Sequence, residues 1–214
     1  MEFFLDTANL EEIEKAKEMG LIDGVTTNPS LLAKEGGDWR SQAREICQMV
    51  NGPVSLEVVA TEAEEMVREA RDLVQFGPNA VIKIPMTLEG IKAVNRLSEM
   101  DIPTNVTLVF SVNQALLAAK AGANYVSPFV GRLDDIGTTG MDLVYQILEV
   151  YEQYDFATQV IVASIRHPEH VLQSAQMGAH VATVPFGVLD KLASHPLTDK
   201  GLEKFLEDWK KIAK

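Results

Sequence analysis

A single lysine, Lys83, stands inside Val81-Ile82-Lys83-Ile84-Pro85-Met86, an apolar and β-branched run that otherwise reads as a buried strand closed by a proline. Taking an ammonium group out of water is unfavourable. A lysine in apolar surroundings therefore tends toward the neutral amine, the nucleophile that condenses with a carbonyl to form a Schiff base. The same stretch allows a plain structural reading, in which Lys83 extends its head group to a strand end or pairs with a carboxylate. Other polar residues stand in comparable places: Asp6, Thr26, Asn28, Glu57, Asn105, Thr107, Ser127, Arg132, Ser164 and Arg166 each lie in, end or follow a short apolar stretch. One such residue would mean little, since polar groups cap helices and close turns, and Asn28 before Pro29 is a natural turn residue. Together they supply an amine nucleophile, two carboxylates for proton transfer, neutral groups for substrate hydroxyls and two arginines able to grip a phosphate.

The elements that must position them alternate regularly. Strand-like stretches run over Phe3 to Asp6, Gly24 to Thr27, Pro53 to Ala60, Ile82 to Pro85, Pro103 to Leu108, Asn124 to Val130, Val160 to Ala163 and Val181 to Val184. Each is followed by a segment of helical period. Asn9 with Glu12, Thr61 with Glu64 and Ser111 with Gln114 have the spacing of capping boxes. Eight such units in 214 residues, about 27 per unit, predict an α/β fold, a single (β/α)8 TIM barrel over 1–214, compact for its kind. A doubly wound open sheet is the alternative, but no Gly-x-Gly-x-x-Gly follows the first strand. A barrel gathers its chemistry at the C-terminal ends of its strands, where the polar residues above fall.

Composition narrows the partners. A net charge of −12 argues against a nucleic-acid footprint and against attraction to an anionic membrane surface, so any basic site must be local. The one cysteine, Cys47, forms no intramolecular disulfide and fits a reducing compartment. Met1-Glu2-Phe3-Phe4-Leu5-Asp6 carries an early acid and too short an apolar run for a secretory signal, and no later stretch has the length of a membrane span. A cytoplasmic protein is expected.

The motifs Leu5-Asp6-Thr7, Gly24-Val25-Thr26-Thr27-Asn28-Pro29, Val81-Ile82-Lys83-Ile84-Pro85, Thr104-Asn105-Val106-Thr107-Leu108, Ser127-Pro128-Phe129-Val130-Gly131-Arg132 and Ala163-Ser164-Ile165-Arg166 follow one another in the order of a known family. The chain resembles the transaldolases, and within them the short subfamily that includes the fructose-6-phosphate aldolases. That resemblance implies a barrel of the class I aldolase type and transfer of a dihydroxyacetone unit, without metal or cofactor. The donors would be sedoheptulose 7-phosphate or fructose 6-phosphate, and the acceptors erythrose 4-phosphate or glyceraldehyde 3-phosphate, in the non-oxidative pentose phosphate pathway. It further implies that Lys83 forms the imine, that Asp6 is the acid/base, and that Glu57 and Thr107 hold the water that shuttles protons. Asn28, Asn105 and Ser127 would bind the dihydroxyacetone hydroxyls, with Thr26 in support and Phe129 shaping the pocket. Arg132, Ser164 and Arg166 would take the phosphate. In the aldolase branch glutamine and tyrosine replace Glu57 and Phe129, so the pair present here resembles the transaldolase branch; the alternatives are an aldolase that releases free dihydroxyacetone and a non-catalytic sugar-phosphate-binding barrel.

The segment 198–214 follows the eighth unit, and Leu202, Phe205, Leu206, Trp209 and Ile212 share one helical face. It is expected to form an extra C-terminal helix that needs a partner surface. The subfamily it resembles forms pentamers that pair into decamers, with this helix on a neighbouring subunit, so a homo-oligomer is expected. Two other groupings are read as structural. His167-Pro168-Glu169-His170 lacks an evident third metal ligand and looks like a helix start, and Asp134-Asp135 read as solvated loop residues or as partners of Arg132.

Overall fold

In the computed structural model, which describes residues 1–212, the chain alternates strand and helix from end to end. It begins with β1 (Glu2–Asp6), α1 (Leu10–Glu18), β2 (Gly24–Thr26), α2 (Pro29–Glu35), α3 (Trp39–Met49), β3 (Val54–Glu57) and α4 (Ala63–Leu73). It continues through β4 (Ala80–Pro85), α5 (Leu88–Ser98), β5 (Thr104–Val109), α6 (Val112–Lys120), β6 (Tyr125–Pro128), α7 (Val130–Asp134) and α8 (Gly140–Gln153). Last come β7 (Gln159–Val162), α9 (Pro168–Gln176), β8 (Val181–Val184), α10 (Phe186–Ala193) and α11 (Pro196–Ile212). Every strand pairs in parallel with the next, and β8 pairs with β1, so the sheet closes as a (β/α)8 barrel and the open doubly wound arrangement is excluded.

Closure follows from the alternation of side chains along each strand. In β4, Ile82 and Ile84 are fully buried in the large apolar layer between sheet and helices, which leaves Val81, Lys83 and Pro85 on the inner face. In β1, Phe4 and Asp6 share the inner face by the same rule. The barrel interior is layered accordingly. Phe4, Ile161 and Val181, with Tyr125 packed against them, form a separate apolar plug, and polar side chains lie further along the strands. The plug excludes water from below and gives the polar layer its floor.

Local signals for helix starts are met in part. Asn9 Oδ1 accepts from the Glu12 N–H at 3.0 Å, but the Glu12 carboxylate accepts from the Thr7 hydroxyl instead of reaching back to the cap. Ser111 Oγ accepts from Gln114 N–H, whose Oε1 in turn accepts from the N–H of Phe110, one residue before the cap. The Thr61 and Glu64 box does not form. The residue before α4 is Glu62, which makes no side-chain cap bond, and the Ala63 N–H donates to Glu89 Oε2 from α5. The helix begins one residue later than the box requires, and a neighbouring helix supplies an acceptor for its first N–H. The C-terminal helix starts two residues before the expected segment, at Pro196, and the last residues of 198–214 lie outside the described residues.

Phe4 is the largest side chain of the plug, and truncating it leaves a void under the polar layer. Phe4→Ala is expected to lower the unfolding free energy by about 3–5 kcal/mol, the usual range for an aromatic core truncation, measured as a shift of the urea midpoint.

Candidate active site

Twenty residues line a cavity of about 570 Å³ at the C-terminal ends of the strands. Register puts its central groups side by side: Glu57 of β3 pairs with Lys83 of β4, which pairs with Asn105 of β5, while Asp6 of β1 pairs with Thr26 of β2. Lys83 is 4% exposed. Its ammonium is not left among apolar atoms, because Nζ lies 3.1 Å from Glu57 Oε2 and donates to the Thr27 carbonyl at 2.9 Å. The two readings of the lysine thus coincide in one place: it is paired as a structural lysine would be, and it opens onto a cavity as a nucleophile must.

Asp6 accepts a hydrogen bond from Thr26 Oγ1 at 2.9 Å. That hydroxyl has one proton to give, so the contact at 2.5 Å between Thr26 Oγ1 and Thr183 Oγ1 is one in which Thr183 donates. Burial raises the Asp6 carboxyl above its ordinary value of 3.8 and nearby Glu57 adds to this, while Lys83, the Thr26 bond and Lys34 pull it back. The folded protein holds the Asp6 proton to higher pH than the unfolded chain does. Asp6 consequently withdraws stability as pH rises from near 3.8 toward its folded-state value.

β5 carries an irregularity that aims its end into the cavity. Pairing with β6 shifts between Val106 and Val109, and Leu108 adopts φ 60°. Thr107 beside it is 1% exposed, lines the cavity, and its Oγ1 has no hydrogen-bond partner among the described residues. A buried hydroxyl facing a polar cavity is prepared to bond whatever enters. Asn28 caps α2, its Oδ1 accepting from Leu31 N–H at 2.9 Å, and it faces the cavity as well. Its turn role and its site role are therefore compatible.

Asn105 stands beside Lys83 in the strand register. It is fully buried and absent from the cavity lining; its amide donates to Ser55 Oγ at 3.1 Å and its carbonyl accepts from Ser127 Oγ at 2.7 Å. It bonds Ser127, which lines the cavity.

The far rim is basic. Arg132 on α7 and Ser164 and Arg166 after β7 line it, and Lys34 on α2 adds a further cation to the cavity lining after β2. Phe129 packs edge-on to Phe110 with ring centroids 6.0 Å apart, and the Arg132 guanidinium lies over the Phe129 ring at 5.1 Å. Ser164 adopts φ 61°, a conformation costly for a residue with a side chain and common where a site imposes it. Gly131 is obligatory here, since a Cβ would come within 2.2 Å of the Ser164 carbonyl and 2.6 Å of Arg166 Nε. The acidic pair is not bound to Arg132: Asp135 pairs with Arg166 at 3.0 Å, and Asp134 stands 2.9 Å from His170 Nε2. Asp134 also supplies the third group that the two histidines seemed to lack, and Asp134, His167 and His170 are close enough to ligate a metal together.

The whole chain can now be set beside known proteins. Residues 3–214 match the sequence model of the family described as Transaldolase/Fructose-6-phosphate aldolase. The chain belongs to that family. A "Probable transaldolase" of Maridesulfovibrio salexigens is 65% identical over 214 residues, covering all of both chains. One of Methanococcus maripaludis is 64% identical over 209 residues, covering 98% of this chain and 97% of its own, and one of Thermoanaerobacter is 59% identical over 211 residues, covering 99% and 98%.

Within this family site, Lys34, Ser55 and Thr183 are the residues that the sequence did not single out. Thr183 sits in a fully buried strand where only the inner-face period could have marked it, and Lys34 on a helix carried no signal at all. A second cavity, of about 440 Å³ at the opposite end of the barrel, is lined mostly by turn residues such as Gly52, Pro78 and Pro103 and gathers no titratable groups apart from Tyr125.

Removing the bond that favours ionised Asp6 should move its titration further up. Thr26→Val is expected to raise the Asp6 midpoint relative to the unmodified protein, read by carbon-13 NMR of the labelled carboxyl, and a downward shift would contradict the assignment of Thr26 as its donor.

Proposed function

We propose that the protein is a transaldolase that moves a dihydroxyacetone unit from sedoheptulose 7-phosphate or fructose 6-phosphate to an aldose phosphate through a Schiff base on Lys83. The observation that carries this is the buried Lys83, paired with Glu57 and open to the cavity that also holds Asp6. Glu57 is placed to take a proton from Lys83, and Nζ then adds to C2 of the ketose. Loss of water gives a protonated imine, an electron sink that removes the need for a metal ion or a cofactor at the bond-breaking step. Asp6 takes the C4 hydroxyl proton as the C3–C4 bond breaks, and the aldose phosphate leaves. The carbanion equivalent on the imine adds to the acceptor aldehyde, Asp6 returns its proton to the new hydroxyl, and water hydrolyses the imine. A carboxyl held above its ordinary value suits this two-way transfer. Glu57 and the unpartnered Thr107 hydroxyl are the groups that would hold water for imine formation and hydrolysis.

Asn28, Asn105 and Ser127 would bind the hydroxyls of the donor, with Asn105 accepting from Ser127 Oγ. Arg132, Ser164 and Arg166 form a cationic rim on an acidic chain, and Lys34 is a further cation in the lining, which supports a phosphorylated substrate drawn to a local positive field. Glu57 and Phe129 favour transfer over release: a carboxylate can accept and return a proton, and phenylalanine offers no hydroxyl to assist hydrolysis. The second reading, an aldolase that frees dihydroxyacetone, is kept by the family's double description. A place in the non-oxidative pentose phosphate pathway follows from these substrates. A reducing cytoplasm agrees with the buried Cys47, whose thiol burial pushes up to about 11.

Incubation with fructose 6-phosphate and erythrose 4-phosphate should give sedoheptulose 7-phosphate and glyceraldehyde 3-phosphate with little free dihydroxyacetone. Borohydride added with fructose 6-phosphate alone should leave the adduct on Lys83, located by peptide mapping. Release of dihydroxyacetone as fast as transfer would replace this reading with the aldolase, and an adduct on another lysine would end it.

We also propose a homo-oligomer, a pentamer or decamer, assembled through α11. Leu202, Phe205, Trp209 and Ile212 are all more than half exposed in the single chain, a stripe with two large aromatics and no covering surface among the described residues. A groove of about 490 Å³ beside Glu57, lined by Leu32, Trp39 and Val59 among others, offers a surface of matching character. Light scattering at micromolar concentration is expected to show the large assembly, and Phe205→Glu with Trp209→Glu to shift it toward monomer.

A further inference from the structure

Two groupings beside the cavity have no part in the reaction just described: the carboxylates Asp134 and Asp135 at the end of α7, and the histidines that open α9. In the fold they converge on Arg166. Asp135 Oδ2 accepts from the Arg166 guanidinium at 3.0 Å. Asp134 stands with Oδ2 at 2.9 Å from His170 Nε2, while its Oδ1 accepts from the Gly140 N–H at 2.8 Å at the start of α8. On the other edge of the ring, His170 Nδ1 accepts the backbone N–H of Arg166 at 3.3 Å. Main chain and side chain of Arg166 are thus tied to one acidic dipeptide, directly in one case and through an imidazole in the other.

The ring's proton can be located from these contacts. An Nδ1 that accepts a backbone N–H carries no hydrogen, so the proton of a neutral ring is on Nε2, facing Asp134. His170 is 4% exposed. Its burial and the neighbouring His167 both oppose a charged ring, against the pull of Asp134. A carboxylate offers only acceptors, so Asp134 selects this tautomer, and this tautomer leaves Nδ1 free to hold Arg166. Little slack remains in the segment, because Ser164 is fixed at φ 61° and Gly131 presses against both Ser164 and Arg166. The arginine itself is half exposed and would otherwise sample many rotamers.

We infer that Asp134 and His170 are positioning residues that hold Arg166 in place for the anionic group of the substrate. The inference rests on the reading of Arg166 as a phosphate-binding residue, and the test separates the two. The probe is inorganic phosphate, titrated calorimetrically into the intact protein and into four variants whose folding is checked by thermal melting. Arg166→Ala removes the binding group and His170→Phe removes the acceptor for its main chain; each should weaken phosphate binding about tenfold, the order expected for one lost hydrogen bond at a charged site. His170→Asn puts an amide oxygen near the place of Nδ1 and should recover most of the affinity. Asp134→Asn should move the ring proton to Nδ1, seen in nitrogen-15 NMR of His170, and weaken phosphate binding with it. If Arg166→Ala leaves the affinity unchanged, the phosphate reading of Arg166 fails. If Arg166→Ala weakens binding while His170→Phe and Asp134→Asn bind as the native protein does, the positioning role is overturned. Should His170→Phe not fold, Asp134→Asn decides, since a shifted tautomer with native affinity also overturns it.

Discussion

The burial of one positive charge inside a closed parallel barrel is the constraint on which the rest of the site depends. Lys83 is enclosed by the same alternation that sends Ile82 and Ile84 into the apolar layer, and an unpaired ammonium there would be strongly unfavourable. Strand register resolves this by setting Glu57 directly opposite and the Thr27 carbonyl within reach. Lys83 and its partner are thus neighbours on adjacent strands, and the arrangement that makes the lysine tolerable also supplies a base for its chemistry under the proposed mechanism. Beneath it, the plug of Phe4, Ile161 and Val181 keeps water out of the floor.

The two sides of the cavity are built on different principles. On the Lys83 side the groups come from strands, and their spacing is set by sheet register, a stiff frame. On the basic side they come from α7 and the segment after β7, where position depends on a strained Ser164, a glycine with no room for a side chain, and hydrogen bonds among Asp134, Asp135, His170 and Arg166. Loops need such local devices because no ladder of backbone bonds holds them.

Much of the architecture was legible in the chain because period is a local property. Eight short β-branched runs separated by helical segments imply a barrel, and its strand ends then name Asp6, Thr26, Glu57, Lys83, Thr107 and Ser127 as neighbours. The misses have a common cause. Thr61 had the spacing of a cap, yet the helix begins at Ala63, whose N–H donates to Glu89 of another helix. Lys34 and Thr183 entered the cavity with no mark in their own surroundings.

The sequence by itself therefore determined which strand each reactive side chain occupies and which face of that strand it takes, since both follow from alternation along a few residues. It also placed the chain in its family through motifs long enough to be specific. Only the tertiary structure decided depth and partnership: that Lys83 meets Glu57, that Asn105 serves Ser127, that Asp134 reaches His170 and not Arg132. Those pairings join residues from 22 to 36 positions apart, through closure of the barrel and the close approach of helices, and no local pattern encodes the distance between two segments that meet only when the sheet has closed.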